Sequence, residues 1–246
     1  MKVSLLLLAL LSGYLSNSQG KPPSHSIFNK LLFKNVTKDG RVDYKAFTKD
    51  SLDLKQYLNI LTANPPNEKT WTRHEQMAYW INAYNAFTIK LITKYYPLKS
   101  IKDIGSSIQV PFVNTPWDIK FITVGNLKMD LNNIEHGILR KKFNDPRIHM
   151  VLVCASKSCP VLLNEAYDAL RLDEQLNKQT RVFLEDPKRN KISGVSAQLS
   201  MIFNWYSMDL TNDGGSVRDF INSHSTKKIT KDTRITYLDY DWNLNE

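Results

Sequence analysis

Residues 72–97 read TRHEQMAYWINAYNAFTIKLITKYYP, and the fold turns on this stretch. Thr72 with Glu75 three positions later has the spacing of a capping box, in which hydroxyl and carboxylate each satisfy a backbone N–H of the first turn. Pro97 has no N–H and ends the run. Between them Ala78, Ile81, Tyr84, Thr88, Leu91 and Tyr95 recur at helical spacing. The stretch predicts one long helix, about Thr72 to Tyr96. Glu75, Asn82 and Asn85 lie on a neighbouring stripe. Buried amides must find partners, so the helix either braces adjacent loops or lines a site.

Downstream, Phe121-Ile122-Thr123-Val124, Gly125-Asn126 and Leu127-Lys128-Met129-Asp130 have the pattern of a hairpin, two short runs joined by a two-residue turn. A helix from Asn133 to Lys142 is expected next, capped by Asn132, with Glu135 closing its capping box. Asp145-Pro146-Arg147 then leads into Ile148-His149-Met150-Val151-Leu152-Val153, an almost wholly apolar run that predicts a central strand. Further helices are expected over Asp173 to Leu184, Ser196 to Tyr206 and Ser216 to Ser223, with short strands near Lys191 and over Ile235 to Tyr240. Upstream, Arg41-Val42-Asp43-Tyr44 reads as a strand, Leu52 to Leu61 as a helix and Pro65-Pro66 as a break. The sum is an α+β single domain: a small, mostly antiparallel sheet, a long central helix and further helices packed on it.

The first twenty residues differ in character. Lys2 precedes an apolar run, Val3 to Leu11, which gives way to the small and polar stretch Ser12 to Gly20. As a helix that apolar run rises only about 14 Å, roughly half of a bilayer core. It therefore predicts a cleaved signal peptide over residues 1–20, not a transmembrane segment. The chain is expected to be secreted, with residues 21–246 as one domain large enough for its own core. Asn35-Val36-Thr37 is a glycosylation sequon, and a secreted glycoprotein carrying its glycan at Asn35 is expected.

A content of 42% hydrophobic and 11% aromatic residues excludes a disordered chain. The formal charge is 33 − 24 = +9, a surplus that favours an acidic glycan or peptide ligand. No nucleic acid partner is expected. The basic residues are scattered (Lys49, Lys90, Lys102, Lys128, Lys178, Lys231), and Arg140-Lys141-Lys142 ends a helix, where cations complement the dipole. Asp39-Gly40-Arg41-Val42-Asp43 mimics the middle of a calcium loop, but counting from Asn35 puts Ala46 where the bidentate carboxylate belongs. Cys154, Cys159 and the histidines lack the close paired spacing of structural zinc sites. Neither metal nor cofactor is expected.

Residues able to carry chemistry gather between Asn132 and Pro160. A cap explains Glu135 but does not require His136. His149 lies inside the apolar run, where a histidine is either a hydrogen-bonded core residue or a base. The run ends in Cys154-Ala155-Ser156-Lys157-Ser158-Cys159-Pro160, small and hydroxylic residues that suit a tight, backbone-exposing loop. In an oxidising compartment the two cysteines predict a local disulfide. A reduced thiol beside a lysine and a histidine would instead favour the thiolate. Its histidine would have to come from upstream, since His224 sits in a polar stretch.

Ala78-Tyr79-Trp80-Ile81-Asn82-Ala83-Tyr84-Asn85-Ala86, Ile134-Glu135-His136, Asp145-Pro146-Arg147-Ile148-His149 with the cysteine loop, Phe203-Asn204-Trp205-Tyr206 and Tyr237-Leu238-Asp239-Tyr240-Asp241-Trp242 follow one another along the chain. In these motifs and their order the chain resembles the domain-of-unknown-function 547 family, from about Val42 to Asn245. The resemblance implies a fold and a shared pocket, with kinship to papain- or transglutaminase-like thiol enzymes. Two functions stay open. One is a secreted binding or structural module, with Cys154 and Cys159 bridged and His149, Glu135, Asn82 and Asn85 in a buried polar network. The other is a thiol-dependent hydrolase or acyl transferase acting on an amide or ester. There Cys154 is the nucleophile (Cys159 the fallback), His149 the base, and Glu135 or His136 the orienting group. Asn82, Asn85, Ser156 and Ser158 would then bind substrate.

Overall fold

The structure, a computed structural model, describes residues 20–105, 115–211 and 215–246. The predicted signal peptide, apart from Gly20, lies outside the described residues. Three helices come first: α1 (Ser26–Asn35), α2 (Tyr44–Lys49) and α3 (Ser51–Ala63). α2 and α3 pack on α4 (Arg73–Tyr95), the predicted central helix, and α1 packs on α2 and α3. Its capping box forms as read: Thr72 Oγ1 accepts from the Glu75 N–H, and Glu75 Oε2 accepts from the Thr72 N–H at 2.6 Å. Every residue from Met77 to Ile89 is buried. A helix buried on all sides is a core element with a partner at each face.

The strand expected at Arg41 to Tyr44 reduces to a single bridge, Val36 with Val42. Asp43 turns the chain into α2 instead, its Oδ1 accepting from the Ala46 N–H at 2.7 Å. Gly40 precedes this turn at φ +82°, and a Cβ there would collide with Val161.

The hairpin is present as β1 (Ile122–Val124) and β2 (Leu127–Met129), antiparallel with Val124 opposite Leu127. Gly125 takes φ +58° at the turn. Its N–H donates to Thr62 O at 2.8 Å, and Thr62 Oγ1 donates to Thr123 O at 2.7 Å, which ties the hairpin to α3. A π-helical segment (Asn133–Leu139) runs into α5 (Arg140–Phe143).

The central strand expected over Ile148 to Val153 does not form. Asp145 Oδ1 caps the Arg147 N–H at 3.0 Å, Pro146 takes the first helical position, and Pro146–Met150 is a 3₁₀ helix. All six residues of the apolar run are nevertheless buried. Continuous apolarity reports burial and does not choose between strand and helix. The extended chain beyond it finds its partners on α4. Asn85 Nδ2 donates to Val151 O and Asn85 Oδ1 accepts from the Val153 N–H, both at 3.0 Å. Three residues earlier on α4, Asn82 makes the same pair of bonds with Tyr167, to its O at 2.8 Å and from its N–H at 2.9 Å.

The second half begins with α6 (Leu172–Glu185), followed by β3 (Lys191–Ile192) and β4 (Ser196–Leu199). The single helix expected over Ser196 to Tyr206 is thus split, its first part a strand and its second α7 (Ile202–Trp205). Then come α8 (Ser207–Leu210), α9 (Val217–His224) and β5 (Arg234–Tyr237). The sheet order is β3–β4–β5, with β3 antiparallel and β5 parallel to β4. Phe183, Leu199, Phe203, Phe220 and Ile221 centre a second apolar cluster, into which Met150 projects. The architecture is α+β. Among the described residues no helix is long and apolar enough to cross a membrane.

Replacing Asn85 or Asn82 by Leu strands one backbone N–H and one C=O in the core. Each change should lower stability by about 1–3 kcal/mol, read as a shift in the denaturant midpoint; an unmoved midpoint would refute the bracket.

Candidate functional site

Asp130, not Asn132, caps the segment that carries Glu135: its Oδ1 accepts from the Asn133 N–H at 2.6 Å. Asn132 has no capping bond and turns its Nδ2 to Asp118 Oδ1 at 2.7 Å. Glu135 is therefore not a capping-box residue. Its side chain is buried, and Oε1 accepts from Tyr206 OH at 2.7 Å. The charge of the same carboxylate acts on the Tyr84 phenol of α4. Burial first, then the negative charge of Glu135, raises both phenols above the usual tyrosine range, so both remain protonated donors. Seven consecutive residues of π-helix are uncommon, and such distortions concentrate at functional sites.

His149 is buried on the 3₁₀ turn, its ring stacked on Tyr206 at 3.8 Å between centroids and 21° between planes. Its Nε2 lies 2.7 Å from Asp209 Oδ2. Arg140 closes on the same carboxylate, Nε to Oδ2 at 2.5 Å and Nη2 to Oδ1 at 2.7 Å. Its Nη1 is 3.0 Å from His136 Nδ1. A guanidinium only donates, so that ring nitrogen accepts, and the proton of the neutral imidazole sits on Nε2. Burial alone would raise the Asp209 carboxyl, but the bonds from His149 and Arg140 outweigh it and hold the group well below its ordinary value of 3.8.

The cysteines form a disulfide, Cys154–Cys159, with 6.2 Å between α-carbons. Cys159 Sγ receives the Cys154 N–H at 2.9 Å and Tyr240 OH at 3.3 Å. Cys154 Sγ lies 3.3 Å from both Ser156 Oγ and Tyr240 OH. Ser158 binds the end of the chain: its Oγ accepts from the Asp241 N–H at 2.8 Å, and its N–H donates to Asp241 O at 3.2 Å.

Of the residues singled out from sequence, Glu135, His136 and His149 are brought into one cluster by Tyr206, Arg140 and Asp209. Cys154 does not join it as the partner of His149, since His149 faces Asp209 and the sulfur is bonded to Cys159. Asn82, Asn85 and Ser158 spend their hydrogen bonds on backbone, and Ser156 is fully buried against Tyr240. Sequence reasoning missed Tyr206, Asp209 and Tyr240 as site residues, although Tyr206 and Tyr240 stand within motifs already quoted. It read Arg140 only as a helix-end cation. Among the described residues no group of three or more His, Cys, Asp or Glu could hold a metal ion.

An aromatic ledge flanks the cluster. Trp205, 45% exposed, lies 4.8 Å from Tyr240 and 5.9 Å from Trp242 between ring centroids. Trp117 meets Trp242 at 5.8 Å, and the Lys102 ammonium sits 4.5 Å from the Trp242 centroid.

Residues 68–184 match the family model described as Protein of unknown function, DUF547, which supports assignment to that family. It spans α4, the hairpin, Glu135, His149 and the cysteine loop, whereas Tyr206, Asp209 and Tyr240 lie beyond it. No curated protein and no solved structure matches the chain.

The Asp209 bonds fix a pH dependence. A carboxyl whose folded pKa is depressed adds stability that is complete above the unfolded value and is lost as pH falls through the folded one. The denaturation midpoint of the native chain should therefore fall between about pH 4 and pH 2. Asp209→Asn should be less stable at neutral pH by about 1–3 kcal/mol and should show a shallower acid loss. Parallel acid profiles for the two chains would refute the assignment.

Proposed function

We propose that this protein is exported and acts as a binding module whose ligand surface is the aromatic ledge of Trp117, Trp205, Tyr240 and Trp242. The observation that carries this reading is that the candidate catalytic side chains are already paired with one another inside the fold. Cys154 and Cys159 are bridged, with no free cysteine in the chain. His149 and Arg140 share Asp209, and Glu135 accepts from Tyr206. A hydrolase or acyl transferase built on Cys154 would need a reduced thiol within reach of a base.

The ledge presents the exposed Trp205 and the partly buried rings of Trp117, Tyr240 and Trp242, with the Lys102 ammonium over Trp242. Aromatic faces pack against the C–H faces of sugars, and the Lys102 ammonium together with the formal +9 charge suits a carboxylated saccharide. The ligand is an acidic glycan. Export follows from the apolar run and small-residue stretch of residues 1–20. The sequon at Asn35 is a poor acceptor once folded, because the side chain is buried and Nδ2 donates to Asp50 Oδ2 at 2.8 Å.

Material secreted by a eukaryotic host should begin near Gln19 or Lys21 on N-terminal sequencing and should keep its mass after glycosidase treatment. Recovery with Met1 in place would overturn export. On an immobilised polyuronate, Trp205→Ala should bind about tenfold more weakly, the usual effect of losing a well-packed aromatic contact. Equal retention of the two chains would count against the binding module.

A further inference from the structure

We propose that Cys154–Cys159 is a redox-active disulfide that exchanges with low-molecular-weight thiols, Cys154 being the sulfur attacked and Cys159 the one that leaves. The two sulfurs are not equivalent. Cys154 is half-buried, whereas Cys159 is 1% exposed, so an incoming thiolate reaches Cys154 first. The departing sulfur takes up negative charge, and donors converge on it. The Cys154 N–H, 2.9 Å from Cys159 Sγ, favours that sulfur, and Tyr240 OH stands 3.3 Å from both.

Ser156 Oγ donates to the Tyr240 oxygen at 3.2 Å, which leaves the phenolic hydrogen directed at the sulfurs. Burial raises the Tyr240 phenol above the usual tyrosine range, so that hydrogen stays in place. The Arg189 guanidinium, ion-paired with Asp186, braces the loop through its carbonyls, with Nε 2.5 Å from Cys159 O and Nη2 2.9 Å from Lys157 O. Donors around a thiolate lower its pKa, and a leaving thiol of lower pKa departs faster.

The exchange balances in two steps. A thiolate RS⁻ forms a bond to Cys154 Sγ as the Cys154–Cys159 bond breaks, and the electron pair goes to Cys159 as thiolate. A second RS⁻ attacks the small-molecule sulfur of that mixed disulfide, giving RSSR and the Cys154 thiolate. The two protons released by the small thiols complete the two cysteine thiols. Two electrons pass to the protein, and the small thiol is oxidised.

The loop does not depend on its covalent bond to keep its shape. Lys157 N–H donates to Asn243 O at 2.8 Å, Ser158 N–H to Asp241 O at 3.2 Å and Asn245 N–H to Ala155 O at 3.2 Å. The sulfurs therefore stay adjacent on reduction and can close again. A bridge across so short a separation also constrains the unfolded chain less than one across a long loop.

The test is to incubate the oxidised full chain with reduced glutathione, quench with N-ethylmaleimide at intervals and digest with trypsin. Cleavage after Lys157 separates the two cysteines. The expected early product carries glutathione on the Cys154 peptide and maleimide on the Cys159 peptide. Tyr240→Phe should slow the step about tenfold. Because Tyr240 also packs against Trp205 and Trp242, Ser156→Ala serves as the second variant; it removes the bond that orients the phenol and should slow the step in the same direction. Glutathione on Cys159, resistance of the folded chain while the denatured chain is reduced, or unchanged rates in both variants would overturn the proposal. Saccharide binding involves no thiol, so the two readings fail separately.

Discussion

An asparagine side chain carries one donor and one acceptor at nearly the spacing of a peptide group, and α4 uses two of them where a sheet would use a neighbouring strand. Asn85 brackets Val151 and Val153, and Asn82 brackets Tyr167. Every buried backbone group must be paired, and the chain between α5 and α6 enters the core without a strand beside it. The brackets meet that demand. They are also why His149 and the cysteine loop hold fixed positions on irregular backbone. The same device recurs in the second cluster, where Asn190 Nδ2 donates to Phe183 O at 2.7 Å and its Oδ1 accepts from the Ser200 N–H at 3.0 Å.

The His149–Asp209–Arg140 group shows how the same residue types serve structure or reaction according to their partners. Three donor atoms meet one carboxylate, which outweighs its partial burial and keeps it ionised. Stacking on Tyr206 fixes the imidazole plane, while the bond to Asp209 fixes its rotation. A side chain held twice is ordered and not poised to swing toward a sulfur. The cluster is thus a rigid wall beside the ledge, and rigidity is what a recognition surface requires, because side chains already ordered lose little entropy on binding.

Much of this was legible in the sequence where the signal was local, although the capping box expected at Asn132 and Glu135 gave way to a cap by Asp130. The capping box at Thr72 and Glu75, Pro97, the Gly125 turn and the cysteine spacing each act within a few residues, and each element formed as read. Long-range partners were not legible. Nothing in Ser196 to Leu199 announces that it pairs in parallel with Arg234 to Tyr237, so a helix was expected where β4 lies. The Ile148 to Val153 run gave its burial correctly and its conformation wrongly, because the amides that replace a strand partner belong to α4. Asp209 was invisible for the same reason. It lies 60 positions from His149 and 69 from Arg140 in the chain, and only folding brings them together.

The last residues of the chain join the disulfide to the ledge. Asn245 accepts the Val42 N–H at 2.9 Å through its carbonyl and Tyr44 OH at 2.7 Å through its side chain, while Leu244 N–H donates to Lys99 O at 2.9 Å. Lys157 and Ser158 of the cysteine loop hold Asn243 and Asp241. Between these anchors the segment delivers Tyr240 to the sulfurs and Trp242 to Trp117 and Trp205. Tyr240 itself touches both surfaces, its hydroxyl on the sulfurs and its ring against Trp205 and Trp242. Because the hydroxyl lies 3.3 Å from both sulfurs, it keeps an acceptor on either side of the bond while its ring stays packed in the ledge. One side chain is thereby held from two directions, which fixes both the phenol on the sulfurs and the ring in the ledge.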